Sequence, residues 1–251
     1  MWNIKARKIQ ASSNLSCKRI GPRACPWVSI IYFLILLVFK FILKKHKPNH
    51  VQDKSSNSLN YIIKAVIHDK KLLLLLFISM LMFIGYSQIQ STLPQVLQIN
   101  NIPNYLVLYS KLLIISAFVV IICQVPFGLI FEKMPISVFT YTSTLLMIAS
   151  FLLLAIAKSP FLFISAIVLL SMAEIITALA TNVLVDKISP SNMRGMYFGA
   201  VNIGTIGMFL GPIIGGALLQ FKGSGFLYVG IALIVSIVLI LYYKFDRLTK
   251  Q

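Results

Sequence analysis

The stretch SPSNMRGMYFGAVNIGTIGMFLGPIIGG, Ser189 to Gly216, decides the fold. It sits in strongly apolar surroundings, yet it opens with Ser-Pro and an arginine and then carries seven glycines and a second proline. Ser189 can cap a helix whose first position is Pro190, because proline lacks the amide that would go unpaired there. Gly204, Gly207, Gly211 and Gly215 then follow at spacings of three, four and four, which lays them in one stripe along a helix. Such a stripe lets two membrane helices approach backbone to backbone. Pro212 removes an amide, frees the carbonyl of Met208 and permits a kink. A static packing face is the plain alternative, since glycine stripes occur in many membrane proteins.

The surroundings give the class. Of 251 residues, 58% are hydrophobic and 12% charged, and the mean hydropathy is +0.88. A soluble domain carries roughly twice that charge. Apolar runs of about 20 residues, the length that crosses a bilayer as helix, recur from Val28 onward. The expected fold is therefore an all-α polytopic membrane bundle; the alternating segments of about 10 residues that mark a barrel are absent. The net charge of +17 does not point to nucleic acid. Lysines and arginines gather in the N-terminal tail, between helices and at the C-terminus, and no basic patch interleaves with aromatics. Cys17, Cys25 and Cys123 are too scattered for a disulfide framework or a metal site. No nucleophile–base pair or ligand cluster suggests an enzyme, and no cofactor is implied.

Along the chain, residues 1–27 read as a basic irregular tail and 28–43 as a membrane helix. Residues 44–71 read as a basic linker in which Leu59, Ile62, Ile63, Val66 and Ile67 form the apolar face of a surface helix. His46, His50 and His68 are most simply solvated residues there. Six further spans are expected in 72–245, at Leu72–Leu97, Tyr105–Phe131, Ser137–Ala157, Pro160–Val185, Pro190–Phe221 and Phe226–Tyr243, with a tail at 246–251. Short connections (NNIPN, EKMP, KS, DKIS, KGSG) make neighbours antiparallel. Charge orients them: the 44–71 linker, Glu132-Lys133, Asp186–Arg194 and the C-terminal KFDRLTKQ fall on the cytoplasmic side of a cell membrane. With the linker inside and 28–43 spanning, the basic tail at 1–27 falls outside, against the same rule, so either the tail is translocated at a cost or 28–43 does not span.

Glycine stripe and charged loop together form DKISPSNMRGMYFGAVNIGTIGMFLGPIIGGALL, which resembles the loop and helix at the tenth-to-eleventh junction of the major facilitator superfamily. Asp186, Pro190, Arg194, Gly195, Gly199, Gly207, Gly211, Pro212, Gly215 and Gly216 carry the likeness. MAEIITALATNVLVDKI resembles the tenth helix of the drug:proton antiporter group, with Glu174 at the acidic position and departures at Ala173 and Leu179. GYSQIQSTLPQVL is similar to a seventh helix of that group. CQVPFGLIFEKMPIS resembles the loop after helix eight, where Gln124, Gly128, Glu132 and Lys133 stand in a degenerate Gly…Asp-Arg motif. The likeness covers roughly 28–245 and assigns helices six to twelve of a twelve-helix transporter. A second assignment, to the first half, rests on the Gly-Pro-Gly-Gly that helix five also carries. The tail at 1–27 stands where helix five would and resembles neither it nor its loop, so a truncated product is expected.

Ionisable groups inside spans are costly and usually functional. Glu174 is the main one; in a transporter cavity it could bind a cation or exchange a proton, and otherwise it bonds a neighbouring helix. Thr177, Ala178 and Thr181 share its face. Tyr86, Gln88, Gln90, Asn182 and Asn202 are neutral candidates for a substrate path or for helix-to-helix bonds. Lys111 snorkels to the headgroups. Asp186 and Arg194 each oppose the local helix dipole, which suggests that they satisfy each other or another element. The resemblance implies that Arg194-Gly195 and Glu132 are latch elements facing the other half. The expected function is half of a proton-coupled efflux transporter for a small molecule, in the lipid bilayer, completed by a separate N-terminal half or by self-association. The rival readings are a membrane scaffold or regulator and a non-functional truncated product.

Overall fold

The computed structural model describes residues 33, 34, 37, 68–131, 134–191 and 193–250. The chain divides into two units, residues 1–56 and 57–251. In the first, Phe33, Leu34 and Leu37 are helical and exposed; the rest of the span expected at 28–43 and the linker helix expected within 44–71 lie outside the described residues. The second unit contains α1 (Lys70–Ser91), α2 (Leu93–Ile99), α3 (Tyr105–Phe131), α4 (Ile136–Ile156), α5 (Pro160–Ile188), α6 (Arg194–Val201), a 3-10 turn (Asn202–Ile206) and α7 (Gly207–Lys250). Among the described residues no strand occurs. The protein is an all-α polytopic bundle.

Among the described residues five stretches are long and apolar enough to cross a membrane, and the last, Arg194–Thr249, is 56 residues long. That length is two crossings, because the chain reverses inside it. Lys222 (φ −144°, ψ 20°) and Gly223 (φ 79°, ψ −169°) leave the helical region. A positive φ of that kind suits a residue without Cβ. Past the reversal, Gly230 lies against Leu218, and the Phe221 and Phe226 rings are 6.3 Å apart. α7 is thus two arms, 207–221 and 224–250.

Helix boundaries follow local chemistry. Asp69 caps α1 by accepting from the amides of Lys71 (2.9 Å) and Leu72 (3.3 Å). Pro160 begins α5 and Pro94 falls at the start of α2, positions where a missing amide costs nothing. Thr92 therefore divides the span expected at Leu72–Leu97 into α1 and α2. In the turn before α3, Asn101 and Asn104 take φ of 53° and 52°, a region that asparagine tolerates better than most residues.

Packing is set by small residues and by a few polar bonds. The glycine stripe faces α1: a Cβ on Gly204 would meet Ser79, on Gly207 Met80 and Phe83, on Gly211 Ser87 and Ile84, and on Gly215 Gln88 and Thr92. Residue numbers rise together along both helices, so α1 and the 207–221 arm run parallel. α4 lies between α5 and the 224–250 arm. Ser150 donates to the Ala166 carbonyl at 2.8 Å, and the Phe151 and Tyr228 rings stack at 6.3 Å. Nearer its start, Tyr141 donates to Asp246 at 3.3 Å. α3 is peripheral, with Leu112 its one buried residue, and it is tied to α5 by a 2.8 Å bond from Ser171 to Ser116.

A polar clasp closes the Lys70 end. The other carboxylate oxygen of Asp69 accepts a 2.7 Å bond from the Tyr197 hydroxyl on α6, so one side chain both caps α1 and holds the segment that follows the α5–α6 turn. Asp69→Ala removes a cap and a charged hydrogen bond and is expected to cost about 2–4 kcal/mol. Tyr197→Phe removes the second alone, about 1–2 kcal/mol. Unfolding of the detergent-solubilised chain checks this; equal effects of the two substitutions would contradict the double role.

Candidate functional site

Glu174 is the middle residue of α5. The helical repeat places Ala178 and Asn182 one and two turns further along the same face, and all three are exposed on the bundle. Thr177 and Thr181 flank them. Opposite this face stand α1 and the segment from α6 to the first arm of α7. Two chambers lie in the space between.

The chamber on the Ser91 side has a volume of about 490 Å³ and is lined by Gln90, Ser91, Ser116, Val120 and Pro212 among others. The chamber on the Lys70 side has about 290 Å³, with Phe83, Thr177, Asn182, Phe198, Asn202 and Tyr242 on its walls. Tyr86, Glu174 and Met208 line both. Among the described residues Glu174 is the one acid of either wall, and no lysine, arginine or histidine lines them. A lone carboxylate with hydroxyls, amides and rings around it suits a ligand that carries positive charge or hydrogen-bond donors.

Of the residues expected to form the substrate or proton path, Tyr86, Gln90, Glu174, Asn182 and Asn202 come together on these walls. Gln88 lies elsewhere. It is 1% exposed, and its amide nitrogen donates to the carbonyls of Ile84 (2.8 Å) and Gly211 (3.0 Å). Its oxygen accepts from Thr92 at 3.0 Å. Gln88 thereby pins α1 to the glycine arm one residue before Pro212. Helical spacing could not separate it from Tyr86 and Gln90, because the side of α1 that meets the glycines is fixed by the partner helix.

The loop residues are dispersed. Arg194 Nε lies 3.3 Å from Asp186 Oδ1, with both side chains more than half exposed, so the pair meets across the α5–α6 turn and contributes little stability by itself. Pro190 is exposed in that turn. Gly207, Gly211 and Gly215 are packed on α1, whereas Gly128, Gly195 and Gly216 have open space where a Cβ would stand. Glu132 and Lys133 lie outside the described residues. Met208, Ser116 and Tyr242 are among the side chains of the site not expected from the sequence. The sequence gives no signal for Tyr242, an aromatic in an apolar C-terminal run.

Comparison with known proteins gives a consistent result. A family model described as Major Facilitator Superfamily matches residues 12–205. YqjV, an MFS-type transporter of Bacillus subtilis (strain 168), is 25% identical over 199 residues, which cover 78% of this chain and 48% of that protein. YttB, an MFS-type transporter of the same organism, is 26% identical over 231 residues, 90% of this chain and 58% of that one. The chain spans about half the length of the curated relatives it matches.

Proposed function

The chain belongs to the major facilitator superfamily, and from that premise we propose that it supplies one six-helix bundle of a secondary transporter, preceded by a helix at 28–43, with Glu174 as the group that engages the cargo. Transporters of this kind move a small molecule by rocking two bundles about a midplane site. The position of Glu174 on the shared wall of two chambers supports this reading. Its carboxylate can hold a cationic small molecule or a proton in turn, which is the chemistry of proton-coupled efflux. Positive charge orients the bundle with the Lys70 end and the C-terminus in the cytoplasm of a cell membrane. Rocking needs a second bundle, so the 251-residue chain on its own is expected to bind without vectorial transport. A separate N-terminal half or a second copy would complete it.

Equilibrium binding of phenethylamine to the full chain in lipid nanodiscs tests the reading. Saturable binding that depends on Glu174 supports it. Binding indifferent to Glu174, or no binding of any organic cation, contradicts it.

A further inference from the structure

Four buried side-chain oxygens among the described residues have no hydrogen-bond partner: the hydroxyls of Tyr86, Thr177, Tyr228 and Tyr242. Three of these residues, Tyr86, Thr177 and Tyr242, line the chamber on the Lys70 side. They arrive from three different elements, α1, α5 and the 224–250 arm. Thr177 is 7% exposed and Tyr242 1%, so bulk water does not serve them. A buried hydroxyl left unpaired costs about 1–3 kcal/mol. Three on one wall, beside a carboxylate, point to an occupant that answers them.

We propose that this chamber is a binding site for a protonated primary or secondary amine with a small apolar body, and that it discriminates by N–H donors against quaternary cations. The inference rests on the reading of Glu174 as the cargo-binding group and adds the class of cargo. An ammonium group has donors and no acceptors. The three hydrogens of a primary ammonium bond the Glu174 carboxylate and the oxygens of Thr177 and Tyr86, and the two of a secondary ammonium bond the carboxylate and one of those oxygens. The Tyr86 and Thr177 hydroxyls lie near enough to interact with each other, and a bond between them still leaves the proton of one and the lone pairs of the other open. A trimethylammonium group satisfies the charge and leaves the hydroxyls unpaired. Anions are excluded by the carboxylate and by the lack of a basic residue on the described walls. Phe83, Phe198 and the tyrosine rings supply apolar contact for the body of the ligand. At about 290 Å³ the chamber is at the lower edge of the roughly 300–1,000 Å³ of drug-sized sites, which sets a one-ring ligand as the fit.

The test compares phenethylamine with phenethyltrimethylammonium, which share ring, linker and charge at neutral pH, by equilibrium binding to the full chain in nanodiscs. The primary amine is expected to bind about tenfold tighter or better. Thr177→Val and Tyr86→Phe, which keep shape and lose the hydroxyl, are each expected to weaken the amine roughly tenfold and to leave the quaternary cation within about twofold. Equal or tighter binding of the quaternary cation overturns the proposal without need of any variant. So does discrimination that survives both substitutions, which would assign the hydroxyls to ordered water. If both cations bind equally and both lose affinity in Glu174→Gln, the donor-selective chamber is wrong while the cargo-binding role of Glu174 stands. If neither binds through Glu174, both are wrong.

Discussion

Gly207→Val is expected to destabilise the protein by about 3 kcal/mol or more, the largest effect of any change in the glycine stripe. A Cβ at this position meets the carbonyl oxygen of Met80 first, then Phe83 Cβ at 3.0 Å and the Ile84 amide nitrogen at 3.1 Å. Two of these are α1 backbone and cannot swing aside. At Gly215 the neighbours are side-chain atoms of Gln88 and Thr92, which can rotate at the loss of their bonds, so alanine there is expected to cost about 1–2 kcal/mol; at Gly211 the Ile84 carbonyl oxygen also stands at 2.9 Å, so alanine there is expected to cost about 2–3 kcal/mol. Gly216, one residue further, has open space, and Gly216→Ala is expected to change stability by no more than about 0.5–1 kcal/mol, in the stabilising direction where helix propensity governs. Unfolding in mixed micelles separates these classes. Equal tolerance at Gly207 and Gly216 would mean that α1 and the glycine arm are not in backbone contact.

Glu174→Gln is expected to weaken binding of an organic cation on the order of a hundredfold, the loss that follows when one partner of a desolvated charge pair is removed. Shape is kept, and the described residues contain a single ion pair, between Arg194 and Asp186, so the fold does not depend on the Glu174 charge. Melting is therefore expected to be unchanged. Glu174→Asp keeps the charge but draws it back by one methylene, and a loss of roughly tenfold is expected. A neutral analogue, phenethyl alcohol, is expected to bind wild type and Glu174→Gln alike. A cation that binds both forms equally would contradict the assignment of Glu174. So would a neutral analogue that loses as much as the cation.

The membrane class was legible from composition, and the reversal at Lys222-Gly223 from the KGSG that interrupts two apolar runs. The stripe of Gly204, Gly207, Gly211 and Gly215 showed which face of its helix is close-packed, because only a narrow spacing of residues without side chains gives backbone approach. It could not show that the partner is α1, and so could not show that Gln88 belongs to that contact while Tyr86 and Gln90 face the chambers. Neither the clasp between Asp69 and Tyr197 nor the place of Tyr242 had a local signature. They join residues 128 positions apart in the first case and distant helices in the second. Hydropathy says that a helix is in the membrane; which of its polar residues meet is a property of packing.

The most direct measurement of the central claim is the aqueous accessibility of the Glu174 face. With Cys17, Cys25 and Cys123 replaced by alanine, single cysteines are placed at Glu174, Ala178 and Asn182 on α5 and at Ile114, Phe118 and Ile122 on α3. All six positions are exposed on the bundle. A charged, membrane-impermeant thiol reagent is expected to label the three on α5, which line the chambers of the proposed aqueous path, and to spare the three on α3, on the face proposed to meet lipid, where a thiol does not ionise. Labelling of both helices alike, or of α3 alone, would contradict a cargo site on the Glu174 face.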